Sequence, residues 1–152
     1  MATDGEPDHP ADIRPAHAPG AAEVVVTRQQ GTPIAVISGE IDLDAVHEVR
    51  AHLLRYLDPQ PGTLLIDLSA VTFLAAAGIS MLLDVHHAAA DHAIRVAVVA
   101  GGRATARPLS ITGVDQVISI HPSRPAAILH LLRPRSPHSD STGHASATPP
   151  SR

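Results

Sequence analysis

The chain contains no cysteine. Disulfides, thiolate metal centres and cysteine nucleophiles are therefore excluded. Tryptophan is absent too, and Phe73 and Tyr56 are the only phenylalanine and tyrosine, so a core must be built from aliphatic side chains. Lysine is missing: all 11 basic residues are arginine. The formal net charge is −4, and a mildly acidic chain without a clustered basic surface is not built to hold nucleic acid. No apolar run approaches the roughly 18 residues that span a bilayer. The acidic, proline-rich first residues carry no charged-then-apolar leader pattern. A cytoplasmic protein with no membrane span is expected.

What is present suits one domain with tails. The chain has 152 residues, of which 44% are apolar, enough for a single core. Residues 1–21 mix Pro, His, Asp, Ala and Gly without periodicity, and residues 134–152 are mostly Ser, Thr, Pro and His. Neither stretch carries the apolar surface that would offset the entropy of ordering it. The expected organisation is a disordered tail over 1–21, a domain over 22–133 and a second tail over 134–152.

Strand and helix patterns alternate within that domain. Val24-Val25-Val26 and Ile34-Ala35-Val36-Ile37 read as two strands, joined by a turn at Gly31-Thr32-Pro33 into an antiparallel hairpin. Asp42 fits the N-cap of a helix whose apolar stripe is Val46, Val49, Leu53 and Leu57. Pro59 and Pro61-Gly62 end it. Leu64 to Leu68 is a nearly all-apolar strand, the pattern of one covered on both faces. A second helix is predicted over Ala76 to Ala90, with Ile79, Leu82, Leu83 and His86 on one side. A strand follows over Ile94–Val99, and Gly101-Gly102 breaks it. Thr105 is placed to cap a short helix that stops at Gly113. Val117 to Ile120 is a last strand. Ser123 caps a last helix with Pro125 in its first turn, and Ile128, Leu131 and Leu132 are expected to face the core. The order β-β-α-β-α-β-α-β-α predicts an α/β fold: a mixed sheet opened by a hairpin, then βα units, with about four helices.

This order, with four short motifs, resembles the STAS domain of anti-sigma factor antagonists. The motifs are Ser38-Gly39-Glu40-Ile41-Asp42, Leu65-Ile66-Asp67-Leu68-Ser69, Phe73-Leu74-Ala75-Ala76-Ala77-Gly78-Ile79 and Leu109-Ser110-Ile111-Thr112-Gly113-Val114-Asp115. The resemblance covers about Glu23 to Leu132. The resemblance implies a non-enzymatic regulator of transcription that binds an anti-sigma factor of the kinase-fold type and frees a sigma factor. In that family the kinase phosphorylates the serine just before the glycine of the third motif, and a phosphatase reverses the step. The matching residue here is Ala77, and the family's preceding Asp and Ser correspond to Ala75 and Ala76. Glu40, Asp42, Asp67, Ser69, Ala76, Ala77 and Gly78 are the residues expected to line the partner surface.

A helix start exposes unpaired N–H groups and a partial positive charge. An alanine cap there costs about 0.5–2 kcal/mol relative to Ser, Thr, Asp or Asn. Ser69 or Thr72 is the nearest alternative source of a cap. A phosphate would add about −1.5 to −2 charge, and Ala77 has no oxygen to carry it. The expectation is a domain held in its unphosphorylated, binding-competent form, with Ser80 as the one other hydroxyl in the helix.

No cofactor and no metal are expected. His86, His87, Asp91 and His92 cluster in sequence, and His87 and Asp91 share a helix face, but further ligands are not positioned. Glu40 and Asp42 read as a cap and an acidic edge rather than an acid pair. There is no Gly-x-Ser-x-Gly elbow, and Gly101-Gly102 lacks the Lys of a phosphate loop. Two other functions fit the same fold: a soluble STAS subunit of a membrane transport complex, or a nucleotide-binding sensor module. The oligomeric state is left open.

Overall fold

The computed structural model describes residues 21–134. The tails expected over 1–21 and 134–152 lie outside the described residues, apart from Ala21 and Pro134. Ala21 forms an isolated parallel bridge with Glu40.

β1 (Glu23–Gln29) and β2 (Thr32–Ile41) form an antiparallel hairpin in which Val25 faces Val36 across the ladder. The turn sits at Gln30-Gly31, not at Gly31-Thr32-Pro33. Both turn residues have positive φ, 53° and 80°, the left-handed pair that matches strand twist in a two-residue hairpin. Thr32 and Pro33 therefore begin β2, where Pro33 stands opposite Arg28.

The remaining strands are β3 (Thr63–Leu74), β4 (Arg95–Val99) and β5 (Ser119–His121). They run parallel to β2, and the spatial order follows the sequence, β1-β2-β3-β4-β5. β3 is longer than its apolar run suggests. It pairs with both neighbours up to Asp67, then continues beside β2 alone to Leu74, through register shifts near Leu68-Ser69 and Thr72. β5 is set two residues later than Val117 in the sequence pattern, because a single 3-10 turn, Val114–Gln116, intervenes.

The helices are α1 (Val46–Arg55), α2 (Ala76–Asp91), α3 (Ala106–Ile111) and α4 (Arg124–Leu132). α1 and α2 cover one face of the sheet. Val46, Val49, Leu53 and Leu57 pack with Met81, Leu82, Val85 and Ala89 on alternate strand residues such as Leu64, Ile66 and Leu68. In α2 the buried stripe is centred on Gly78, Met81, Leu82, Val85 and Ala89, so Leu83 and His86 flank it, half-buried. α4 covers the other face, where Ala127, Ile128 and Leu131 meet Ile34, Leu65, Ala97 and Val99. Leu132 points outward instead of into this core, because Ile128 and Leu131 already fill the contact.

Several caps hold these elements. Ser123 Oγ accepts from Ala126 N at 3.3 Å at the start of α4, with Pro125 in the first turn. At the other end of α4, the Arg95 guanidinium of β4 donates to the carbonyls of His130, Leu131 and Arg133. It satisfies carbonyl oxygens that a helix end leaves unpaired. Thr105 precedes α3 as expected, yet its side chain makes no capping hydrogen bond and is buried.

Candidate functional site

The C-terminal ends of β2 and β3 lie side by side, with Ile41 opposite Leu74, whereas β4 ends earlier, at Val99 opposite Asp67. The start of α2 follows β3 directly and so sits beside the end of β2. Ala75 is the N-cap, with extended backbone (φ −76°, ψ 164°) and no side-chain capping bond. Its carbonyl accepts from Gly78 N at 2.8 Å and Ile79 N at 3.2 Å, while its own N–H donates to Ile41 O at 2.9 Å. That last bond ties the α2 start to the end of β2.

Gly78 explains why the two segments approach so closely. A Cβ on it would lie 2.7 Å from Leu74 Cδ1 and 2.9 Å from Ile41 Cγ2. Only glycine lets the first turn of α2 sit on these two buried side chains. Ala76 is exposed and Ala77 is half-buried against the core. The first turn holds no acidic residue. The partial positive charge of the helix start is thus unmatched by any side chain of the turn.

Glu40 is exposed and stands opposite Phe73 in the β2–β3 register, next to the pair Ile41–Leu74. Asp42 is half-buried. Its Oδ1 accepts from Asp44 N at 3.1 Å and Ala45 N at 3.0 Å, so it caps the turn that leads into α1, and the helix proper begins only at Val46. Glu40 and Asp42 are therefore brought beside the α2 start.

Asp67 departs from its expected place. It lies within β3, is 2% exposed, and faces α4 instead of the outer edge. Strand alternation puts it on the same face as Leu65, which belongs to the α4 core. Its Oδ1 accepts from Ser69 N at 2.9 Å and Ser69 Oγ at 2.6 Å, and its Oδ2 pairs with Arg124 Nε at 2.5 Å. Burial pushes the carboxyl up, but the bonds from Ser69 and Arg124 outweigh it and hold the group below the usual carboxylate range. Ser69 is exposed, yet its hydroxyl is engaged by Asp67. Neither Ser69 nor Thr72 caps α2.

Three exposed apolar side chains were not singled out as contact residues from the sequence: Leu43 (71%), Phe73 (50%) and Ile111 (72%). Phe73 and Ile111 line an open groove of about 440 Å³ beside the α2 start, with Pro108, Arg103 and Arg107 on its α3 side. Phe73 and Ile111 both occur in the sequence motifs, but only the fold reveals that they face outward. Among the described residues no group of three or more His, Asp or Glu is gathered as for a metal ion. No helix there is long and apolar enough to cross a membrane.

The STAS domain profile matches residues 23–127. The anti-sigma-F factor antagonist RsfB of Mycobacterium tuberculosis is 31% identical over 103 residues, 68% of this chain and 84% of that protein. The crystal structure of an anti-sigma factor antagonist from Mycobacterium paratuberculosis superimposes with a TM-score of 0.70 at 29% identity, over 76% of this chain and 98% of that one. An anti-sigma-factor antagonist (STAS) domain protein from Planctomyces limnophilus shares the fold at 18% identity, with a TM-score of 0.63 over 72% of this chain and 98% of that one. With the hairpin, the parallel βα units and the glycine-seated α2 start already in place, these matches show that the chain belongs to the STAS domain family and groups with its anti-sigma factor antagonists.

Proposed function

We propose that this chain binds a kinase-fold anti-sigma factor in the cytoplasm, so freeing a sigma factor, and that it is not switched by phosphorylation at the start of α2. One observation carries this reading. The α2 start is open and uncapped, its three leading residues are Ala75, Ala76 and Ala77, and exposed Phe73 stands beside it. The sequence identity to a mycobacterial antagonist supports the binding role.

Each site residue has a part. Glu40 supplies charge at the edge. Asp42 shapes the loop after β2 and adds charge there. Ala76 and Ala77 let a partner approach the free N–H groups closely. Gly78 keeps the helix start seated. Ser69 stands at the rim, and Asp67 acts from inside by holding α4. A phosphate here would place about −1.5 to −2 charge in the contact, and no oxygen of Ala77 can accept one. Control then passes to the amount of protein or to a signal acting outside α2, and Ser80, the one hydroxyl in α2, stays unmodified.

The test is titration calorimetry against each purified kinase-fold anti-sigma factor from the cell of origin, with and without ATP, followed by mass spectrometry. The wild-type chain binds one of them, ATP does not dissociate the complex, and no phosphate is found on α2. Ala77→Asp weakens binding, and Ala77→Ser becomes a phosphate acceptor. Phosphate on wild-type α2, or no binding to any of these factors, overturns the reading.

A further inference from the structure

Strand order arranges charge across the edge that carries the α2 start. After β2 come Asp42, Asp44 and Glu48; after β3 comes the uncapped helix; after β4 come Arg103 and Arg107. β2 pairs with the end of β3 on one side, and the segment after β4 reaches Thr72, Phe73 and Leu74 on the other, so the acidic and basic segments flank the helix start on opposite sides. The groove described above lies on the basic side, where Phe73 of β3 faces Pro108 and Ile111 of α3 across an open space. No carboxylate lines it. Among the described residues, neither Arg103 nor Arg107 has an ion pair or side-chain hydrogen bond. Phenylalanine and isoleucine exposed together in a concavity rimmed by free guanidinium groups form a surface suited to binding.

We propose that this groove receives an acidic amphipathic segment of the protein partner. An apolar side chain of that segment lodges between Phe73, Pro108 and Ile111, and its carboxylates meet Arg103 and Arg107. Charge complementarity selects the occupant: a planar guanidinium matches a carboxylate through two parallel hydrogen bonds. Flanks of opposite sign also impose one docking direction, since a reversed partner would set acid against Asp42 and Asp44. This inference rests on the reading of the α2 start as the partner-contacting surface, and the groove is continuous with it through Phe73 and Leu74.

The probe is a synthetic amphipathic helical peptide with a leucine stripe and a glutamate face, titrated into the isotope-labelled full chain by NMR. A second peptide carries lysine in place of each glutamate. The glutamate peptide shifts the amides of Phe73, Arg103, Arg107 and Ile111; the lysine peptide does not. Arg103→Glu combined with Arg107→Glu weakens binding at least about tenfold at low salt, and less as salt rises. Ile111→Ser weakens it without changing the melting temperature, since Ile111 is exposed. Equal response to both peptides, shifts centred elsewhere, or binding undiminished in the double variant overturns the groove assignment. The double variant is also measured against the anti-sigma factor beside Ala77→Asp. Binding lost only in Ala77→Asp overturns the groove and leaves the antagonist reading intact. Anti-sigma-factor binding that is indifferent to Ala77→Asp, with the peptide still seated in the groove, overturns the α2 start as the partner contact and keeps the groove as a peptide site.

Discussion

Arg124, the first residue of α4, reaches the buried carboxylate of Asp67 in β3, with Nε 2.5 Å from Oδ2 across 57 residues of sequence. The Asp67 side chain is almost wholly enclosed, while Arg124 keeps about a third of its surface in water (35%). The pair fastens α4 to the sheet beneath it. Losing the guanidinium leaves a charge in a nearly dry place. Arg124→Ala is expected to cost about 2–4 kcal/mol at pH 7, toward the lower side of a fully buried pair because Arg124 is partly solvated. Asp67 is held low in the fold, so its contribution is complete above the unfolded carboxylate value of about 3.9 and fades as pH falls through the lower folded value. Urea titrations at pH 7 and at pH 3 should show the Arg124→Ala penalty shrinking in acid.

Gly78 makes a second prediction. A methyl group there meets Leu74 and Ile41 at under 3.0 Å, and both are buried. Overpacking costs about 1–3 kcal/mol, against a gain of up to about 1 kcal/mol in helix propensity. Gly78→Ala is therefore net destabilising by roughly 1–2 kcal/mol, read as a lower urea midpoint. Because α2 must lift from β2, faster amide exchange at Ala75 should accompany it.

The rings of His121 and His130 lie tilted against each other, with centroids 4.9 Å apart, where β5 meets α4. Burial holds the His121 imidazole below its ordinary range. On His130, burial is joined by the positive charges of His121, Arg95 and Arg133. Unfolded imidazoles take up protons near pH 6.5, before the folded ones do. Stability from these groups is therefore complete above that value and declines as pH falls below it. Thermal melts of wild type should drop between pH 7 and pH 5, and a His121→Gln, His130→Gln double variant should flatten that slope. An unchanged slope in the variant would assign it elsewhere, with the half-buried His86, also shifted down, as the next group to replace.

Ala93 follows the end of α2 with φ at +58°, while Ile94 N closes back on Ala89 O at 2.8 Å. The left-handed conformation costs a non-glycine residue about 1–2 kcal/mol, more than the about 0.4–1 kcal/mol that a glycine adds to the entropy of the unfolded chain. Ala93→Gly should stabilise the domain by about 0.5–1 kcal/mol, visible as a raised melting temperature with partner binding unchanged.

The sequence by itself determined the alternation of elements, because its signals are local. β-branched runs mark strands, the 3.6-residue stripe of Val46, Val49 and Leu53 marks α1, and Ser123 with Pro125 marks the start of α4. It also placed the α2 start at Ala75–Gly78 and revealed that no hydroxyl stands there. Only the tertiary structure decided what each polar residue does. Asp67 is expected on the partner surface from the motif it belongs to, yet strand alternation turns it toward Arg124, a partner no local pattern specifies. Thr105 has the right residue type for a cap and is buried without making one. Leu132 has the right spacing for the core and points to water, since two residues of α4 already fill the space. Phe73 and Ile111 read as ordinary apolar residues until the ends of β3 and α3 come together and leave them facing outward. Periodicity and propensity act within a few residues, whereas burial and charge pairing are set by which distant segments the sheet brings side by side.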